Sequence, residues 1–354
     1  MSATSRKGAE SIRVGLLSYA HVGHAVAYSA ALKRIDGVEF VAIYDEDEER
    51  GRAMASRFDV PEYHADAAAV IGRGDIQAVV VCSPTADHAS LVIAAAEAGK
   101  HILCEKPIAT RVEDANAMIA ACEAAGVQLH IPFVLRFLPM AQRTKQMVAA
   151  GEIGEIYGMM GGNRGIPPLP PAYPGWITDP KEAGGGALID HSVHVTDAMR
   201  FITGAEATRV FAECGTLFRE ELRVDDAAIL LVTFDDEIAA SIDPSWCIPK
   251  GNPYHYDFYL RILGADGVIA IDETRSALQV TRPGKEGRSF VLEGFGADAN
   301  LEVVRHFVRC VREGEQLPPA ASGVDGLRAL EIALAGYESA RTGQPVMLGG
   351  VVAS

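Results

Sequence analysis

No two of the six cysteines are spaced as Cys-x-x-Cys; they stand singly at positions 82, 104, 122, 214, 247 and 310. Several lie inside apolar runs, where a reduced thiol packs as a small hydrophobe. That usage argues against a disulfide framework and points to a reducing, cytoplasmic setting. Positive charge is scarce: 32 Lys and Arg against 47 Asp and Glu leave a net charge of -15, with a sequence pI near 5.1. A phosphate backbone needs a concentrated positive field, so no nucleic-acid partner is expected. Long apolar runs are missing too. No stretch reaches the about 18 uncharged apolar residues of a membrane span, and Met1 to Glu10 lacks the apolar core of a signal peptide. The expectation is a soluble protein with no membrane partner and a frayed N-terminal tail. There is no internal repeat, and no low-complexity segment beyond alanine-rich helices.

With 354 residues, 49% of them apolar, the chain exceeds the about 250 to 300 residues at which single cores stop growing, so two domains are expected. Strand-like runs at Ile12–Leu17, Glu39–Tyr44, Ala78–Cys82, up to Cys104, and at Val127–Ile131 alternate with helical stretches at Val22–Ile35, Asp47–Phe58, Asp87–Ala98 and Val112–Ala125. That alternation predicts a parallel sheet flanked by helices over residues 11–131. Residues 132–354 have a different rhythm. A helix around Pro139–Ala150, a Gly/Pro-rich stretch at Gly158–Gly175 and a helix at Ala187–Phe201 precede strand-like runs at Thr208–Cys214, Ala227–Phe234, Ile238–Trp246, Tyr256–Leu263 and Gly267–Asp272. Short polar turns such as Asp235-Asp236-Glu237 join them, which favours a large, mainly antiparallel open sheet in an α+β domain. Two helices, Ala299–Glu313 and Val324–Thr342, close the chain and are candidates for packing back on the first domain.

Between the first strand and its helix lies Ser18-Tyr19-Ala20-His21-Val22-Gly23. In a Rossmann domain this position carries G-x-G-x-x-G, whose glycines admit a pyrophosphate to the helix N terminus. Only the third glycine is present here, though Ser18 and Ala20 are small enough for a close backbone approach. Asp45 ends the second strand, where a carboxylate accepts hydrogen bonds from the adenosine ribose and repels a ribose phosphate. The cofactor is therefore expected to be NAD rather than NADP, unless Asp45 merely opens the solvated acidic run up to Glu49.

Lys106 follows the apolar strand His101-Ile102-Leu103-Cys104, at the carboxyl end where open parallel sheets place their ligands. Pro107 stiffens the backbone just after it. Further on, Gly184-Gly185-Gly186 precedes a helix in which Asp190 and His194, four apart, share one face. Oxidising a carbinol needs a base for the hydroxyl proton, which suits His194, and a cation for the developing alkoxide, which suits Lys106; Asp190 would orient substrate hydroxyls. Asp190, His191 and His194 also suit a metal, but no further ligand follows at a recognisable spacing, so none is expected. Trp176 suits stacking on a sugar ring and Arg164 suits its hydroxyls, although a packed tryptophan in a Pro-rich loop explains that stretch as well. For His21, His24 and the cluster Tyr254-His255-Tyr256 a structural role is the safer reading.

Taken in order, Ser83-Pro84-Thr85 with His88, the run Ala98 to Pro107, Arg136-Phe137-Leu138-Pro139, Gly151-Glu152-Ile153-Gly154, Gly184 to His194 and Ser339 to Val346 resemble the glucose-fructose oxidoreductase and inositol dehydrogenase family (Gfo/Idh/MocA) from about residue 12 to residue 346. The resemblance implies that Lys106, Asp190 and His194 form the catalytic group. It places Glu105, Pro107, Ser83, Pro84 and His88 near the nicotinamide and ribose, with Arg136 also at the cofactor, and makes the helix carrying His191 the substrate helix. It makes the Lys106–Pro107 bond a candidate cis peptide. It further implies an NAD-dependent oxidoreductase acting on a secondary hydroxyl of a sugar, sugar derivative or inositol. The alternative is a hydrolase or lyase that uses NAD transiently and regenerates it; a non-catalytic dinucleotide-binding regulator fits poorly with Lys106, Asp190 and His194 together. Association of subunits through the second domain's open sheet is expected to give a homodimer or homotetramer.

Overall fold

The computed structural model describes residues 11–170, 173–235, 237–249, 251–252, 256–272, 277–284, 287–294 and 298–349. The N-terminal tail, Asp236 in its expected turn and the pair Tyr254 and His255 lie outside the described residues. The chain runs β1 (Ile12–Leu17), α1 (Val22–Leu32), β2 (Val38–Tyr44), α2 (Glu48–Arg57), β3 (Glu62–His64), α3 (Ala67–Ile71), β4 (Ala78–Val81), α4 (His88–Glu97), β5 (His101–Cys104), α5 (Val112–Ala125) and β6 (Leu129–Ile131). It continues through α6 (Pro139–Ala149), β7 (Ile156–Gly165), α7 (Pro180–Ala183), α8 (Ala187–Thr203), β8 (Ala207–Gly215), β9 (Ala227–Phe234), β10 (Ile238–Ser245), β11 (Tyr256–Gly264) and β12 (Val268–Asp272). A hairpin of β13 (Ala277–Gly284) and β14 (Gly287–Gly294), α9 (Ala299–Glu313), β15 (Ala321–Ser322), α10 (Gly323–Thr342) and β16 (Val346–Met347) complete it.

Two compact units result. The first comprises the chain through Glu105, Asp114–Pro132 and Asn300–Gly323. It is a Rossmann domain: a seven-stranded sheet in the order β15-β6-β5-β4-β1-β2-β3, parallel except for β15, which pairs antiparallel with β6. Val14, Leu16, Leu17 and the run Val79, Val80 and Val81 are fully buried, as a parallel sheet covered on both faces requires. Of the two closing helices, α9 belongs to this unit. The order reverses between β1 and its neighbours β4 and β2, so the loops after β1 and β4 flank the place where such sheets bind ligands. The backbone N–H of His21 donates to Cys82 O at 2.9 Å and ties those two loops together.

The second unit comprises Lys106–Glu113, Phe133–Ala299 and the chain from Val324 on. Its main sheet has the order β12-β11-β7-β10-β9-β8-β16. All pairings are antiparallel except β7 with β10. The interior strand β7 falls in the stretch whose glycines read as irregular chain in the sequence. Packing explains them: a Cβ on Gly161 would press Val195 and Met199 of α8 at 2.8 and 3.1 Å, so the strand needs glycine to let the helix lie against it. Pleat alternation then directs Gly161, Asn163 and Gly165 toward α8 and Met160, Gly162 and Arg164 to the opposite face.

Candidate functional site

Lys106, the first residue of its segment in the second unit, stands two residues after the end of β5 and its peptide to Pro107 is cis. Only 5% of the residue is exposed. A buried ammonium needs compensation, and Asp190 near the start of α8 provides it. Lys106 Nζ donates to Asp190 Oδ1 at 2.5 Å and to the Asp190 carbonyl at 3.2 Å. The other carboxylate oxygen receives the Trp246 indole N–H at 3.2 Å and lies 3.2 Å from His191 Nε2. His191 is oriented from its far side, where Nδ1 donates to the Asn163 carbonyl at 2.8 Å. Burial by itself pushes the Asp190 carboxyl up, but the Lys106 ammonium and the His191 ring more than reverse this and hold it well below the usual carboxylate range. The result is a fixed anion gripping a fixed cation. His194 sits one turn further along α8, with its ring edge-on to Phe133 at 6.2 Å between centroids.

The three glycines before α8 make room for the unit's own residues. Gly184 takes φ 82° at the end of α7, a left-handed conformation that suits glycine. A Cβ on Gly186 would overlap the Asp225 carbonyl oxygen. Asp225 accepts the N–H groups of Gly186 and Leu188 at 3.0 and 2.7 Å, and receives the Tyr337 hydroxyl at 2.7 Å. Asp225 and Tyr337 thus clamp the helix start that positions Asp190. Neither stands out in the sequence, and nor does Trp246, because their partners are distant along the chain. The two-tryptophan count is the one signal that could have drawn attention to Trp246.

Three expected ligands take other places. Arg164 lies on the sheet face opposite α8, its guanidinium paired with Asp257 at 3.1 and 2.6 Å and over the Tyr259 ring at 5.5 Å. Asp190 and His191 belong to the α8 side, so the side-chain alternation of β7 removes Arg164 from them. Trp176 packs with Tyr173 and Leu222 against a buried cluster containing Ile177 and Trp246, the packed-tryptophan reading of that loop. Tyr173 is the aromatic nearer the charge: burial and then the Asp190 carboxylate push its phenol up. Arg136, expected at the cofactor, is 6% exposed and forks onto Asp197 at 2.8 and 2.6 Å, with Asp325 at 2.9 Å. Its described charge pairs are internal to the unit, which makes it a holder of α8.

In the first unit, Ser18 replaces a glycine while keeping a glycine-like backbone, φ 71°. Its hydroxyl donates to Glu46 Oε2 at 2.8 Å and accepts from the Ala20 N–H at 3.0 Å, which holds the turn. Tyr19 turns its ring into the core, with its hydroxyl 2.6 Å from Ser29. Val22 starts α1, no side chain caps that helix, and a Cβ on Gly23 would meet nothing. The turn therefore leaves a bare helix start and open space beside it, and these residues fit a dinucleotide pyrophosphate. Ser83, Pro84 and His88 form the neighbouring loop after β4, with Ser83 and His88 buried and His88 Nε2 3.3 Å from the Ser83 carbonyl. Glu105, 1% exposed, lies 2.9 Å from Nδ1 of His24, and the His21 and His24 rings stack at 4.1 Å. Asp45 is the surprise. It is fully buried and accepts from Tyr19 N–H, Asp47 N–H and both Nε and Nη2 of Arg50 at 2.7 to 3.0 Å. It shapes the turn from within, whereas the sequence suggested a ribose ligand at this position.

Comparison with known proteins agrees with the fold. Residues 14–133 match a family described as "Oxidoreductase family, NAD-binding Rossmann fold", and residues 141–270 match the "GFO/IDH/MocA C-terminal domain". Myo-inositol 2-dehydrogenase of Thermotoga maritima is 32% identical over 96% of this chain and 100% of its own. Scyllo-inositol 2-dehydrogenase (NAD(+)) of Bacillus subtilis is 29% identical over 95% of this chain and 94% of its own. A probable dehydrogenase from Thermotoga maritima of known structure superposes with a TM-score of 0.81 at 30% identity, covering 95% of this chain and 98% of that one. Both halves of the chain, and the order of the motifs along it, place the protein in the Gfo/Idh/MocA oxidoreductase family.

Proposed function

We propose that the protein is an NAD-dependent dehydrogenase that interconverts a secondary hydroxyl of a sugar, sugar derivative or inositol with the corresponding ketone. The observation that carries the reading is the buried Lys106 ammonium, locked onto Asp190 at the start of α8 in a chain of this family. Lys106 Nζ stabilises negative charge developing on the substrate oxygen, and Asp190, whose other oxygen receives the Trp246 indole N–H, keeps that ammonium aimed. His194 takes the hydroxyl proton on an imidazole nitrogen, a role suited to neutral histidine near pH 7. His191 and Asp190 present polar atoms to the remaining hydroxyls. NAD(H), when bound to the Ser18–Gly23 turn and the Ser83–His88 loop, would supply the hydride acceptor or donor.

Two finer points belong to the same reading. The described cysteines are all unpaired, in keeping with work in the reducing cytoplasm. Among the described residues no helix is long and apolar enough to cross a membrane. The sheet face opposite α8 exposes Met160, Ile229, Leu231 and Val268, an apolar surface suited to a second copy of the chain in a homodimer or homotetramer. Light scattering at micromolar concentration checks this, and a monomer refutes it.

The deciding assay follows nicotinamide absorbance with purified protein, NAD or NADP, and a panel of aldoses, glycosides, anhydrosugars and inositols. Reduction of NAD with a ring polyol is the expected result. Silence across the panel, together with cleavage of a glycoside at constant absorbance, would replace the proposal by a redox-neutral hydrolase or lyase.

A further inference from the structure

The carboxyl end of β2 holds a charge arrangement that bears on which dinucleotide is accepted. Asp45, the residue at the position that commonly reads the adenosine ribose, has no exposed surface. A carboxylate offers about four acceptor sites, and four donors fill those of Asp45: the N–H groups of Tyr19 and Asp47, and Nε and Nη2 of Arg50. Its backbone is fixed as well, since its N–H donates to the His64 carbonyl at 3.3 Å and its carbonyl receives the Tyr63 hydroxyl at 3.2 Å. Turning it outward would break all of these bonds at once.

Glu46 is placed differently. Its side chain is 45% exposed. One oxygen receives the Ser18 hydroxyl at 2.8 Å, and Ser18 is the first residue of the turn between β1 and α1; the other receives Arg50 Nη2 at 2.6 Å. Arg50, with a side chain 22% exposed, uses Nε and Nη2 in its pairs with Asp45 and Glu46, and its Nη1 enters neither. Two carboxylates around one guanidinium leave a net negative group beside the turn. Such a group accepts ribose hydroxyls and repels a doubly charged phosphate.

We infer that Glu46, and not Asp45, is the residue that selects NAD(H) over NADP(H), and that Arg50 is a latent phosphate-binding group masked by the excess negative charge of Glu46. This rests on the proposed dinucleotide site. Replacing Glu46 by Gln removes the repelling charge and takes the group from net negative to neutral, while Asp45 still holds Nε and Nη2 in place. Nη1, which enters neither pair, then offers its N–H groups to a ribose phosphate without an excess carboxylate beside it.

The test is direct binding, read from NADH and NADPH fluorescence titrations of the purified protein at low ionic strength. Wild type is expected to bind NADH more tightly than NADPH. Glu46→Gln is expected to narrow that preference at least tenfold, chiefly by tightening NADPH, and Glu46→Gln combined with Arg50→Gln is expected to lose the gain. Asp45→Asn is expected to lower the thermal unfolding temperature. If a folded Glu46→Gln binds both dinucleotides with the wild-type ratio, or if the NADPH gain survives in the double variant, the inference fails alone. If wild type binds neither dinucleotide, it fails together with the reading on which it rests.

Discussion

Replacing Arg136 by Met keeps most of the side chain's apolar stem and removes only the guanidinium. In the structure that group makes two short bonds to Asp197, which has no exposed surface, and reaches Asp325. Breaking a buried ion pair from one side costs about 3–5 kcal/mol, because the remaining charge stays desolvated. For a unit of this size, at about 2–4 °C per kcal/mol, the unfolding temperature should fall by on the order of 10 °C. Burial raises the Asp197 carboxyl and Arg136 pulls it back down. Without Arg136 the acid rises further above its unfolded value, so the folded variant takes up a proton as pH falls and recovers part of the loss. The deficit should accordingly shrink as pH is lowered. Calorimetry over a series of pH values gives the magnitude and its sign with pH. Arg136→Met combined with Asp197→Leu should recover much of the stability, since an apolar pair replaces the ionic one. NADH affinity of the folded single variant should be within a few-fold of wild type. An unfolding temperature within about 2 °C of wild type, accompanied by a large loss of NADH affinity, would refute the reasoning and return Arg136 to the cofactor.

Lys106→Ala should lower turnover by about a hundredfold or more while far-UV circular dichroism is unchanged; unaltered turnover would remove Lys106 from the chemistry. Gly186→Ala forces a methyl group into the Asp225 carbonyl, so it should destabilise the protein by about 1–3 kcal/mol and raise KM by disturbing the start of α8, as thermal unfolding and steady-state kinetics would show. His130 is buried, and desolvation, assisted by His306 and His101, pushes it down to about 3. Its unfolded form protonates near 6.5, so its contribution is complete above that pH and is lost as pH falls toward 3. That amounts to about 2 kcal/mol by pH 5, which urea midpoints at pH 7 and pH 5 can measure.

The first unit was the easier to read. Its strands are buried on both faces, so Val79, Val80 and Val81 form a continuous apolar run, and the helices between them announce a parallel sheet. In the second unit β7 escaped notice for the opposite reason. Its glycines are chosen by what lies against them, Gly161 by α8, and that contact partner is distant in sequence. The parallel pairing of β7 with β10 likewise follows no hairpin. Lys106 and the helix bearing Asp190 and His194 were legible because strand ends and helix spacing are local features. The sequence could not say which oxygen of Asp190 faces Lys106, nor that Trp246 and His191 hold the other.

By itself, then, the order of apolar and polar residues determined the two kinds of sheet, the family resemblance, and the lysine and helix on which the proposed chemistry rests. Tertiary structure decided which charges are available. Asp45, Arg136 and Arg164 all have the right chemistry for a ligand, and in sequence each looks free to bind one. In the fold each is satisfied by partners of its own unit, Arg50, Asp197 and Asp257 respectively. Burial makes an unpaired charge costly, and whether a pairing partner exists is settled by chain segments that meet only when the protein folds.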